Sequence, residues 1–183
     1  MHHALEDVSV FERGWLSSNN VLLHGDDSAT LIDSSHCLHA EQTIALVRNA
    51  MRPGESLTTL INTHLHSDHC GGNAALQRAF GARIVIPPGE ADAIARWDDN
   101  ALSYRATGQR IERFAHNALL RPGESLTVGT RIWQALAAPG PPLLVFLDDL
   151  QWADAPTLRL LEHLVTDDNE RCVLVVGSYR DNE

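Results

Sequence analysis

Apolar and polar positions alternate along this chain in two periods, and the switches between them mark the elements. Residues 21–25 (VLLHG) and 29–35 (ATLIDSS) are short apolar runs bounded by turn residues and predict strands. AEQTIALVRNAM (40–51) carries apolar residues at helical spacing and predicts an amphipathic helix. A buried strand is expected over LTTLIN (57–62), a helix over NAALQRAF (73–80), a strand over ARIVIPP (82–88) and a helix over GEADAIARW (89–97). Strands and helices in alternation argue for a layered α/β domain. Residues 98–120 show mixed charge and weak periodicity, which predicts a surface helix or loop. The heptapeptide RPGESLT occurs at 52–58 and again at 121–127, each time as a Pro-Gly turn leading into an apolar segment, and reads as one turn solution used twice.

The pattern changes at APGPP (138–142). Beyond it LLVFLDD (143–149) and CVLVVGS (172–178) predict buried strands. ADAPTLRLLEHLV (153–165) predicts a helix with Asp154 as N-cap and Pro156 in its first turn. This β-α-β unit is too short to form a domain alone. The expected organisation is therefore a larger domain over 1–140 with the unit 141–183 packed on it.

Composition narrows the function classes. The net charge of -10 disfavours a nucleic-acid partner, which requires a concentrated basic face. All 14 basic residues are arginine and they are scattered. No apolar run approaches the roughly 20 residues of a membrane span, and MHHALEDVSVFERGW lacks the design of a signal peptide, so a cytoplasmic protein with no membrane partner is expected. Cys37, Cys70 and Cys172 are too widely spaced for a thiolate zinc knuckle, and reduced thiols are expected.

The chemistry concentrates in THLHSDHCGG (63–72), at the carboxyl end of a strand and just before a helix. Side chains alternate on extended backbone, so His64 and His66 fall on one side and can grip one ion. Asp68 and His69, where the chain turns, can reach a second ion. Imidazole and carboxylate suit zinc, with manganese or iron as alternatives.

HLHSDH (64–69) resembles the HxHxDH signature of the metallo-β-lactamase-fold hydrolases, and Asp33 in TLIDSS resembles that family's earlier strand-end aspartate. The resemblance covers about residues 8–140. It implies that His64 and His66 bind a first metal and Asp68 and His69 a second, with Asp33 supporting them and Asp68 orienting or deprotonating the attacking water. Two cations about 3.5–4 Å apart would bring the pKa of a bridging water toward about 7. The family continues from a segment such as WQALAAPG (133–140) into a further histidine ligand, where this chain has Pro141. His36, His163 or a partner chain are candidates to replace it, and His39 and His116 are further histidines to place.

The C-terminal stretch, LLVFLDDLQWADAPTLRLLEHL with VLVVGSYRDNE, resembles the Walker B region of signalling ATPases. A chain without lysine cannot supply the phosphate-binding G-x-x-x-x-G-K-[ST] loop, so no ATP is expected. Asp149, or its neighbour Asp148, is expected to stand in for the family's bridging aspartate. The fold expectation is thus a truncated metallo-β-lactamase-like αβ arrangement with a C-terminal β-α-β unit, completed as a homodimer. The functional expectation is metal-activated hydrolysis of a small ester, a phosphodiester or phosphotriester first. Carboxylic ester, thioester and lactone are the alternatives within the same class, and a non-catalytic fusion or binding module is the alternative outside it.

Overall fold

The computed structural model describes residues 7–14, 17–102, 104–107, 111–136, 143–147 and 173–179. The chain divides into two compact units, one ending at Leu120 and the other beginning at Arg121.

The first unit is built on a six-stranded sheet in the order β1-β2-β3-β4-β5-β6. Strands β1 (Val8–Phe11), β2 (Asn20–His24) and β3 (Ser28–Ile32) form an antiparallel meander. From β3 onward, β4 (Ser56–Ile61), β5 (Arg83–Ile86) and β6 (Ala118–Leu119) run parallel. Parallel neighbours need crossovers. Helix α1 (Ala40–Ala50) links β3 to β4; α2 (Ser67–Cys70) and α3 (Asn73–Phe80) link β4 to β5; α4 (Ala91–Arg96) and α5 (Tyr104–Thr107) follow β5. The expected strands and helices between residues 20 and 97 are thus present, with ends shifted by a few residues. The strand β1 was not expected.

Helix α1 buries Ala40, Thr43, Ile44 and Val47, a stripe at i, i+3, i+4 and i+7, and packs beside α3. Helix α3 stops at Gly81, whose φ of 70° is the left-handed conformation that lets its N–H cap the Gln77 carbonyl. Leu22, Leu31, Leu60, Leu65, Leu76, Ile84 and Ile86 are fully buried in one core. Each such side chain contributes about 1.5–3 kcal/mol through its burial.

Residues 98–120 depart from the expected surface segment. Leu102, Tyr104 and Phe114 are buried in the same core, so three apolar anchors hold a stretch whose polar majority hides any period.

Both copies of RPGESLT form the same type II turn. Gly54 and Gly123 each have φ of 86°, and Glu55 N–H and Glu124 N–H each reach the arginine carbonyl three residues back at 3.0 Å. In each copy the glutamate side chain turns back onto the arginine N–H, at 2.9 Å for Glu55 and 2.7 Å for Glu124, and a strand begins at the following serine. Their surroundings differ. Glu55 is buried against His24, with its Oε2 2.9 Å from Nδ1, while Ser9 Oγ lies 2.8 Å from His24 Nε2. Glu124 is exposed and faces Arg121.

The second unit carries a four-stranded sheet in the order β7-β8-β10-β9. A two-residue connection joins β7 (Ser125–Val128) to β8 (Arg131–Gln134) as an antiparallel hairpin. Strands β9 (Leu143–Leu147) and β10 (Val173–Tyr179) pair in parallel, as a β-α-β unit requires. The expected helix between them lies outside the described residues. Among those residues, no helix is long and apolar enough to cross a membrane.

Candidate metal centre

The ends of β3 and β4 bring the polar residues together. At the end of β3, Asp33 and Ser35 both take positive φ, 58° and 65°, a costly conformation for residues with a side chain. The bend sends the Asp33 carboxylate toward the segment after β4. Oδ1 accepts the Thr63 N–H at 2.9 Å; Oδ2 accepts the Thr63 hydroxyl at 2.8 Å and His69 Nδ1–H at 2.7 Å. With Nδ1 committed, His69 is left with Nε2, which stands 3.5 Å from an Asp68 oxygen. Burial pulls the His69 pKa down, but the Asp33 carboxylate and its hydrogen bond, with Asp68 and Glu90 beyond, outweigh it and hold the imidazole above its ordinary value.

His64 is the opposite case. Burial, followed by repulsion from His69, lowers its pKa to about 4, so the ring is neutral near pH 7. Its Nδ1 lies 3.2 Å from the Thr63 hydroxyl, and its buried Nε2 has no hydrogen-bond partner. The His64 ring centre is 4.6 Å from that of His66 and 3.9 Å from that of His69. The three imidazoles expected from the sequence are therefore neighbours.

A second polar cluster holds the loop behind them. The His69 carbonyl accepts Ser34 N–H at 2.7 Å and Asn62 Nδ2–H at 3.2 Å. Ser34 Oγ donates to Asn73 Oδ1 and accepts Gly72 N–H, and Asn73 Nδ2 donates to Asn62 Oδ1. Backbone meets backbone here. A Cβ on Gly71 would lie 2.4 Å from Cys37 N, and one on Gly72 would lie 2.5 Å from the Ser34 carbonyl oxygen. The Gly-Gly pair that follows the histidines is thus required by packing.

Glu90 was not anticipated. It enters from a 3-10 turn (Pro88–Glu90) after β5, and its Oε2 accepts Leu65 N–H at 2.9 Å. Burial raises its pKa. A glutamate closing a Pro-Pro-Gly turn at the carboxyl end of the next parallel strand was the available signal.

His36 and His39 are engaged locally: His36 Nδ1 accepts Leu38 N–H, and His39 Nδ1 lies 2.7 Å from Ser17 Oγ. His116 is half-buried just before β6. Asp148, Asp149, Pro141 and His163 lie outside the described residues.

The donors fit a divalent cation in kind. His64 Nε2 is an orphaned buried atom with a free lone pair, and His69 carries its other nitrogen on a carboxylate, the usual backing for a metal-bound imidazole. They do not form a closed shell: among the described residues no three His, Cys, Asp or Glu side chains are grouped to hold an ion.

The sequence profile of the Metallo-beta-lactamase superfamily matches residues 13–174. The chain belongs to this superfamily. The match continues through most of the stretch that resembles a signalling ATPase, and it lends no support to an ATPase origin for that stretch. Among curated relatives, the hydroxyacylglutathione hydrolase of Nitrobacter winogradskyi is 31% identical over 120 residues, 66% of this chain and 38% of that protein. The protein of the same name from Bradyrhizobium sp. (strain ORS 278) is 33% identical over 121 residues, 66% of this chain and 40% of its own length. The chain therefore spans about two-fifths of the relatives it matches. Among solved structures, the native FEZ-1 metallo-beta-lactamase from Legionella gormanii superposes with a TM-score of 0.61 at 17% identity, covering 73% of this chain and 51% of that one. A metallo-beta-lactamase mutant from Cronobacter sakazakii gives 0.60 at 24%, covering 73% and 52%. These likenesses establish the superfamily's mixed α/β fold.

Proposed function

We propose that the chain is a metal-dependent hydrolase of ester-type bonds, with a thioester as the first substrate class to test. One observation carries the reading: His64 and His69 are neighbours, one neutral with a bare Nε2 and the other backed by Asp33. His64, His66, Asp68 and His69 would hold one or two ions, zinc first. When bound, a divalent cation supplies acidification of water and neutralisation of the negative charge that develops on the substrate.

The residues do the rest. Asp33 holds the His69 ring through Nδ1, and Ser34 and Asn62, both bonded to Asn73, hold the His69 carbonyl. The Asp68 carboxylate is partly exposed, and its backbone carbonyl accepts Ser18 N–H, so it is anchored yet open to receive a proton from water. The relatives' name, hydroxyacylglutathione hydrolase, favours a thioester over the phosphoester expected first from the sequence.

We propose a further donor from Asp149, from Asp148 or from a second copy in a homodimer. Light scattering at micromolar concentration tests the dimer, and a monomer would reject it. Elemental analysis of zinc-supplemented protein, followed by turnover of a hydroxyacylglutathione and of a generic phosphodiester with and without chelator, tests the activity. Chelator-sensitive thioester turnover is expected, and Asp68→Ala should lower it by about 10²–10⁴-fold. Protein that takes up no metal and hydrolyses neither substrate would sink the proposal.

A further inference from the structure

Residues Thr63 to His66 are held from two sides by carboxylates from different crossovers. Asp33, after β3, takes the Thr63 N–H; Glu90, after β5, takes the Leu65 N–H, both at 2.9 Å. These are alternate amides on the segment that carries two of the three imidazoles.

Leu65 is tethered at three points. Its side chain is fully buried in the core, its N–H is on Glu90, and its carbonyl is 3.4 Å from the Cys70 thiol, which in turn contacts the Tyr104 hydroxyl at 3.0 Å. His64 and His66 flank it. With the Leu65 side chain locked into the core, alternation sends its neighbours to the other side, where their rings stand 4.6 Å apart. The His64–Leu65 peptide joins the backbone of the two histidines, and its N–H is held by Glu90.

We infer that Glu90 is a positioning residue for the His64–His66 pair: its carboxylate fixes the peptide between them so that both imidazoles face one metal ion. The inference rests on the metal-dependent reading above. It assigns Glu90 a hydrogen bond to backbone as its task, which distinguishes it from a ligand or a source of negative charge. Outer partners of this kind are worth about 10–100-fold in metal affinity.

The test compares the full chain with Glu90→Ala and Glu90→Gln. Glutamine keeps an oxygen that can accept the Leu65 N–H but carries no charge. Zinc affinity, measured by competition with a chromophoric chelator, is expected to fall about 10–100-fold in Glu90→Ala and to stay within about threefold of the parent in Glu90→Gln. In metal-free protein, Leu65 amide exchange should accelerate in Glu90→Ala alone, and the ring-to-ring nuclear Overhauser contact between His64 and His66 should be lost in that variant alone. Equal zinc affinity in all three proteins overturns the inference. So does a Glu90→Gln loss as large as that of Glu90→Ala, since charge would then be the cause. If the parent binds no zinc, the hydrolase reading fails by itself; an unchanged His64–His66 contact in Glu90→Ala then overturns the role of Glu90 separately.

Discussion

Burial decides how single residues behave here. In the metal-free protein His64 stays neutral down to about pH 4, whereas the unfolded chain protonates it near the ordinary histidine value of 6.5. Its folded pKa is depressed, so acid favours the unfolded state: stability is lost as pH falls from 6.5 toward 4, by up to about 3 kcal/mol from this residue. His69 has the opposite sign, contributing most below its unfolded pKa and fading as pH rises through its raised folded value. Thermal melts of the metal-free parent and of His64→Gln from pH 7 to 4 check this, with a flatter acid limb expected in the variant. Among thiols, Cys70 is fully buried against Tyr104, and burial pushes its pKa far up, while Cys37 is half-buried. Maleimide applied to native protein at pH 8 should therefore modify Cys37 and spare Cys70, as read by peptide mass mapping. None of these differences is visible in the letters H and C; the burial that creates them comes from strands distant in sequence.

At the level of elements, the segment after β3 and the Gly-Gly turn meet backbone to backbone, with no room for a Cβ. Gly72→Ala would drive a methyl into the Ser34 carbonyl and should cost about 1–3 kcal/mol. Gly54→Ala meets open space and should cost about 1–2 kcal/mol, from its positive φ alone. Urea titrations of the two variants measure both. The sequence carried much of this architecture. Alternating apolar periods located β2 to β5 and helices α1 and α3, and the ligand spacing located the histidines at a strand end. The clamp of Ser34, Asn62 and Asn73 was hidden because its members lie in three separate segments and none is unusual alone. Glu90 was hidden for the same reason, and Leu102, Tyr104 and Phe114 because isolated anchors in a polar stretch make no period.

Over the whole molecule, the described core residues of the first unit run from Leu22 to Phe114. A chain cut after Leu120 is expected to keep a cooperative thermal transition, and calorimetry would check it. The superfamily assignment, by contrast, spans both units. The two RPGESLT turns, one in each unit, give this protein a matched pair of probes. Pro53→Ala and Pro122→Ala perturb an identical local bend, so their costs should agree. Glu55→Ala strips a sequestered imidazole of its carboxylate and should cost about 3–5 kcal/mol, whereas Glu124→Ala should be close to neutral. One heptad of sequence thus reports, within a single polypeptide, how much of a residue's worth is local conformation and how much is neighbourhood.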